Sequence, residues 1–140
     1  YVKGGDGVPE EFLDFQTNDL TSDPIRFARN KAVLGQAPNL ALGSPTNGWL
    51  RSALRSCALL QRADYPKYVA VPMLMFAAGA DHVVSARAIE DFAVDLKIGG
   101  HILMPGSRHE ILQENDETRQ RFWAAFDAYM GVDIPTELTA

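Results

Sequence analysis

Residues 71–110 read VPMLMFAAGADHVVSARAIEDFAVDLKIGGHILMPGSRHE, and this stretch decides the fold. Residues 71–77 form a short, almost wholly apolar run opened by Pro72, the composition of a strand buried on both faces. The run ends in Ala78-Gly79-Ala80-Asp81, which sets a carboxylate just past the strand's C-terminal end. Ser85 can cap a helix whose Ile89, Phe92, Ala93 and Leu96 fall on one face. Gly99-Gly100 is then expected to stop that helix, and His101-Ile102-Leu103-Met104 to form a second strand. This strand runs into Pro105-Gly106-Ser107-Arg108-His109. Two strands joined by a helix are expected to be parallel, with a right-handed crossover. Asp81 and His109, 28 residues apart, then share one edge of the sheet. Open α/β sheets place their chemistry at the C-terminal ends of their strands.

The rest of the composition narrows the field. The chain has 140 residues, one domain's worth, with 46% hydrophobic and 22% charged residues, ordinary values for a globular protein. A net charge of −5 without any Lys/Arg cluster argues against nucleic acid and anionic lipid as partners. Cys57 is the single cysteine, so no intrachain disulfide can form. No apolar run reaches transmembrane length and the N-terminal residues lack a signal-peptide core, which makes the cytoplasm the expected location.

Outward from the central stretch, residues 1–20 are rich in glycine, proline and acids, with Phe12, Leu13 and Phe15 as anchors. Thr21-Ser22-Asp23-Pro24 starts a helix that Pro38 ends, with Ile25, Ala28 and Ala32 on one side and Phe27 and Leu34 flanking. A second helix begins near Pro45-Thr46. Its Trp49, Leu50, Ala53, Leu54, Cys57 and Leu60 make an apolar stripe, and Asp64-Tyr65-Pro66 closes it. Asn115, Asp116 and Glu117 open a last helix with Phe122, Trp123, Phe126, Tyr129 and Met130 on its buried side and Gly131 as its C-cap. Beyond Pro135 the tail is expected to be loose.

The pattern Gly79-x-Asp81-x-x-Val84, then helix, strand and His109 in a loop, resembles the closing part of the α/β-hydrolases. In that family the first loop carries the triad acid and the second the triad histidine. The segment Asn18-x-Leu20-Thr21-Ser22-Asp23-Pro24, then Arg26-Phe27-Ala28-Arg29-Asn30, then Gly43-x-Pro45-Thr46-x-Gly48-Trp49-Leu50, resembles the cap of bacterial lysophospholipases, in the monoacylglycerol-lipase-like branch. The resemblance implies an α/β fold: the C-terminal part of an α/β-hydrolase, with a helical cap (1–66) followed by two parallel strands with flanking helices (67–140). It implies that His109 is a general base and Asp81 the carboxylate that orients it, in a serine hydrolase cleaving lysophospholipids or monoacylglycerols through an acyl-enzyme, without metal or organic cofactor.

The nucleophile elbow Gly-x-Ser-x-Gly is absent. None of Ser22, Ser44, Ser52, Ser56, Ser85 and Ser107 has a glycine two residues away on both sides. In the resembled family the elbow lies upstream of the cap, so the serine is expected on a preceding part of the fold and this chain alone is expected to be inactive. The outer edge of the first strand then lacks its neighbour, and a second copy, the N-terminal half or a re-docked cap helix is expected to cover it.

Each residue has a plainer reading. His109 can be a surface histidine, and Asp81 a turn residue or helix cap. Asp91 and Asp95 are rival acids set within the helix. His82 points to a rim role and His101 to a structural one, and the histidines share no metal-ligand spacing. Cys57 on its apolar stripe reads as a buried thiol. Trp49 and Leu50 can line an acyl pocket or simply pack the cap on the body. Arg26, Arg29 and Arg55 can meet a headgroup, but charged helix faces are usually solvated. As a whole the chain is read as part of an ester hydrolase. The alternatives are a non-catalytic interaction module, or another hydrolase chemistry on the same scaffold.

Overall fold

Asp23 starts the first helix as the sequence suggests. Its carboxylate accepts from the N–H groups of Ile25 (2.8 Å) and Arg26 (3.0 Å), and Pro24 occupies the first turn of α1, Pro24–Gln36. The computed structural model describes residues 14–40 and 45–131. Phe12, Leu13, Gly43, Ser44 and the tail beyond Pro135 lie outside the described residues. Phe15 does anchor the entry segment, its ring meeting Phe27 edge-on at 5.5 Å.

Thr46 caps α2, Asn47–Leu60, by accepting from the Trp49 N–H at 3.1 Å. β1, Met73–Ala78, is followed by α3, Ala86–Val94, which Ser85 caps, and by β2, Gly99–Met104. Asn115 accepts from the Thr118 N–H to start α4, Asp116–Met130, and Gly131 closes it in the left-handed conformation at φ +69°. The two strands run parallel in the register Met73↔Gly99 to Ala78↔Met104.

Alternation along β1 sets the layers. Met73 and Met75 face Ile89 and Phe92 of α3. Phe76, on the opposite face, meets Phe122 of α4 at 4.4 Å. The helices therefore cover opposite faces of the sheet. Among the described residues Ala77, Ala78 and Met104 are buried at the ends of the two strands, and Ala93 of α3 and Pro66 are buried elsewhere.

Several expectations need correction. α3 ends at Val94, and Gly99-Gly100 are not its stop but the first residues of β2. A Cβ on Gly99 would lie 2.7 Å from the Met73 carbonyl oxygen, so this glycine is there for close strand approach. On α1, Ile25 points to solvent, while Arg26, Phe27, Asn30 and Leu34 face the protein, because Arg26 is drawn inward by Asp23 and Asp116. α2 buries none of its stripe: Trp49 and Leu54 are exposed, only Leu50 and Ala53 are half-buried, and Cys57 is exposed rather than buried. Among the described residues α2 packs chiefly against the short turn Tyr65–Tyr68, which leaves most of that face exposed. On α4, Phe122 is half-buried, while Trp123, Phe126, Tyr129 and Met130 are exposed. The rings of Phe122, Trp123 and Phe126 pack on one another instead.

The outer edge of β1 has no strand beside it among the described residues, and neither α1 nor α2 is laid along it. Of the three covers considered for that edge, a re-docked cap helix is not seen among the described residues.

Candidate active site

The loops after β1 and β2 are tied to each other before they carry any chemistry. The Gly79 N–H donates to the Met104 carbonyl at 2.9 Å, and the Ala80 N–H to the Ser107 carbonyl at 2.8 Å. A Cβ on Gly79 would sit 3.1 Å from the Met104 oxygen and from Cα of Pro105, so the bare glycine lets the two loops touch. The buried Ser107 hydroxyl turns back to donate to the Met104 carbonyl at 2.8 Å.

This join places Asp81 against His109. Nδ1 of His109 lies 2.9 Å from Oδ2 of Asp81. The other carboxylate oxygen, Oδ1, accepts from the backbone N–H groups of Val83 (2.7 Å) and Val84 (3.0 Å). Burial pushes the Asp81 carboxyl up. The Val84 N–H, the hydrogen bond from His109, the Val83 N–H and the imidazole charge outweigh it, and the carboxyl is held below the ordinary carboxylate range. An ionised carboxylate only accepts, so Nδ1 bears a proton, and in the neutral ring it is Nε2 that carries the lone pair. An imidazole fixed in that tautomer can take a proton at Nε2 and later return it.

The rival acids stand elsewhere. Asp91 faces Arg87 across one helical turn at 3.7 Å, and Asp95 is the C-cap of α3. His82 is exposed, and His101 sits within β2 opposite Met75. Arg26 and Arg29, considered for a headgroup, are engaged internally, Arg26 with Asp23 and Asp116 and Arg29 with the Gln113 side chain. Among the described residues no three His, Cys, Asp or Glu side chains converge in a way that could hold a metal.

Trp49 and Leu50 are not brought to this pair. They lie in the first turns of α2, whereas the open groove of about 600 Å³ that α2 borders is lined from its other end, by Cys57 and Leu60 with Met73, Met75, Ile89 and Phe92. Neither Asp81 nor His109 lines that groove.

The family described as serine aminopeptidase, S33, matches residues 11–116, most of the chain. The chain belongs to this family of α/β-hydrolases. Lysophospholipase L2 of Escherichia coli strain K12 is 31% identical to this α/β-hydrolase over 115 residues, covering 76% of the chain and 33% of that protein. The same enzyme of E. coli O6:H1 matches equally. A soluble variant of monoglyceride lipase from Saccharomyces cerevisiae, solved with a substrate analogue, shares the fold with a TM-score of 0.64 at 20% identity, over 85% of this chain and 41% of that one. The chain thus spans about a third of the length of the curated relatives it matches. The lysophospholipase and monoacylglycerol-lipase-like branch named from the cap wording is the branch these relatives represent. No helix among the described residues of this α/β-hydrolase is long and apolar enough to cross a membrane.

Sequence reasoning missed one group at the site. Glu114 is fully buried, and its Oε1 accepts from the N–H groups of Ser22 (3.0 Å) and Arg108 (2.8 Å), while Oε2 accepts from the Ser22 hydroxyl. Around it the Thr21 hydroxyl donates to the Gln113 carbonyl at 2.7 Å, and the Arg108 guanidinium donates to the carbonyls of Asn18 (2.7 Å) and Thr21 (3.2 Å). In the sequence Glu114 stands in an acidic run beside Asp116 and Glu117, which reads as solvated surface, and no local signal sets it apart.

Proposed function

We propose that Asp81 and His109 are the acid and the base of a serine hydrolase triad whose serine lies on polypeptide outside this 140-residue sequence. The observation that carries the reading is the 2.9 Å contact from Nδ1 to a carboxylate already held by two backbone N–H groups. In that mechanism Nε2 takes the serine proton as Oγ attacks an ester carbonyl, then delivers it to the leaving alcohol, and a second cycle with water frees the acid. Asp81 holds the tautomer and stabilises the imidazolium. The serines described near the pair have other duties: the Ser22 hydroxyl is bound to Glu114, Ser107 to a backbone carbonyl, and Ser85 caps α3.

The substrate class is a carboxylic ester of a lipid, a lysophospholipid or monoacylglycerol, supported by the names of the relatives. Residues 1–66 would serve as the cap and 67–140 as the end of the catalytic body, with Trp49 and Leu50 meeting an acyl chain once the fold is complete. The outer edge of β1 would pair with the N-terminal half or a second copy, and the cytoplasm is the compartment. A peptide substrate is the second reading, favoured by the family's description as an aminopeptidase.

A fluorophosphonate probe tests the mechanism. The present chain should remain unlabelled, and a polypeptide that adds the upstream strands should be labelled in a manner that His109→Gln abolishes. Labelling of the present chain would overturn the assignment of the nucleophile. Side-by-side assays with monoacylglycerol, lysophospholipid and aminoacyl-peptide substrates then separate ester from peptide cleavage.

A further inference from the structure

His109 lies on an irregular loop, and such a loop holds a ring in place only if its backbone is fixed. Two kinds of contact fix it. One is local, the pairing of the Gly79-Ala80 turn with Met104 and Ser107 described above. The other comes from the segment just before α1, which meets the loop through the buried Glu114 carboxyl, 92 residues from Ser22 in sequence, and through the Arg108 guanidinium on the carbonyls of Asn18 and Thr21. The Glu114 oxygens gather three donors, the Ser22 N–H, the Ser22 hydroxyl and the Arg108 N–H. Arg108 is the residue immediately before His109, so the bond to its amide acts on the peptide plane next to the histidine. The same strip is extended by the His109 N–H to the Asp19 carbonyl at 3.5 Å and the Glu110 N–H to the Leu20 carbonyl at 2.8 Å.

We infer that Glu114 is a positioning residue for His109: its buried carboxyl joins the Arg108 amide to Ser22 and thereby holds the imidazole over Asp81. A buried carboxyl with three donors costs most when one partner is removed, because the donors are left unsatisfied in a dry site. Its removal should therefore release the loop backbone. The helix contact formed by Arg26 with Asp23 and Asp116 is part of the same α1–α4 junction but does not touch the histidine loop. It separates positioning from general stability. This inference rests on the Asp81–His109 reading, but its test does not require catalysis.

The test is ring ¹⁵N–¹H correlation on the 140-residue chain, with His109→Gln used to assign the signals among the three histidines. The unsubstituted chain should show His109 protonated at Nδ1. In Glu114→Ala this signature should be lost and the ring should average like a free histidine, while the backbone amides of β1, β2 and α4 keep their dispersion. Glu114→Gln, which retains an oxygen for the two amides, should restore it. Arg26→Ala should leave it unchanged. An Nδ1–H signature that survives in folded Glu114→Ala overturns the positioning role and leaves the Asp81–His109 pair intact. A signature missing from the unsubstituted chain overturns the pair itself. If Glu114→Ala does not fold, Ser22→Ala decides: a partial loss of the signature supports the role, and a native ring spectrum overturns it.

Discussion

Asp81 and His109 share a hydrogen bond but not an environment, the Asp81 side chain being 3% exposed and that of His109 34% exposed. The carboxylate is walled in and fully hydrogen-bonded, while the imidazole reaches toward solvent from the rim. A fixed acceptor behind and an accessible nitrogen in front is the arrangement an acid–base histidine needs.

Asp81→Asn should invert the tautomer. The amide oxygen of asparagine would be held by the Val83 and Val84 N–H groups, leaving its NH₂ group to face Nδ1. Nδ1 must then accept, and the ring proton moves to Nε2. Ring ¹⁵N shifts should exchange between the two nitrogens. In a polypeptide that supplies the serine, hydrolysis should fall by about four orders of magnitude, the size found where a triad histidine is held in the wrong tautomer.

The acid side of the stability profile should carry the same residue. The Asp81 carboxyl is held below its unfolded value of roughly 3.9. Its stabilisation is therefore complete above that pH and lost as pH falls through the lower folded value. Asp23, held down by the Arg26 N–H and guanidinium, acts in the same sense. Urea midpoints taken from about pH 6 to about pH 3 should fall less steeply in Asp81→Asn than in the parent chain. Parallel curves would contradict the shift.

Adjacent glycines should answer differently to one methyl group. Gly99→Ala sets a Cβ 2.7 Å from the Met73 carbonyl, a backbone atom that cannot move aside without parting the strands, and should cost about 1–3 kcal/mol. Gly100→Ala meets nothing within 4 Å and should be neutral or stabilise by about 0.4–1 kcal/mol. Thermal melts of the two variants give the comparison directly.

The apolar face of α2 should contribute little to this chain's stability. Trp49 is 61% and Leu54 60% exposed, so Trp49→Ser and Leu54→Ser should each shift stability by no more than about 0.5 kcal/mol. Met104→Ala, at the buried end of β2, should by contrast cost about 2–5 kcal/mol. Equal losses from helix and strand would mean that α2 is packed after all.

Local chemistry was legible in the sequence wherever it acts locally. Asp23, Thr46, Ser85 and Asn115 each accept a backbone N–H two or three residues on, so the helix starts follow from residue type and spacing. The acid and histidine were legible because a strand–helix–strand unit of this length brings both loops to one edge. What failed was the side that α1, α2 and α4 bury, whereas α3 turns Ile89, Phe92 and Ala93 inward as their spacing predicts. Apolar spacing predicts one stripe on α1, yet Arg26 turns the helix the other way, and on α2 and α4 most of the large apolar residues stay exposed among the described residues. Gly99-Gly100 shows a similar limit, since a glycine that stops a helix and one that admits a neighbouring carbonyl look identical in one dimension.

By itself the sequence determined the alternation of strands and helices, their caps, and the order of carboxylate and imidazole, because these depend on contacts a few residues long or on the handed geometry of one crossover. Only the tertiary structure decided that Glu114 lies buried beneath the histidine loop with Ser22 as its partner, and that Oδ1 of Asp81 is taken by two amides so that Oδ2 alone meets the ring. Those facts depend on which distant backbone N–H groups need an acceptor once water is excluded, and that demand exists only after the chain has folded.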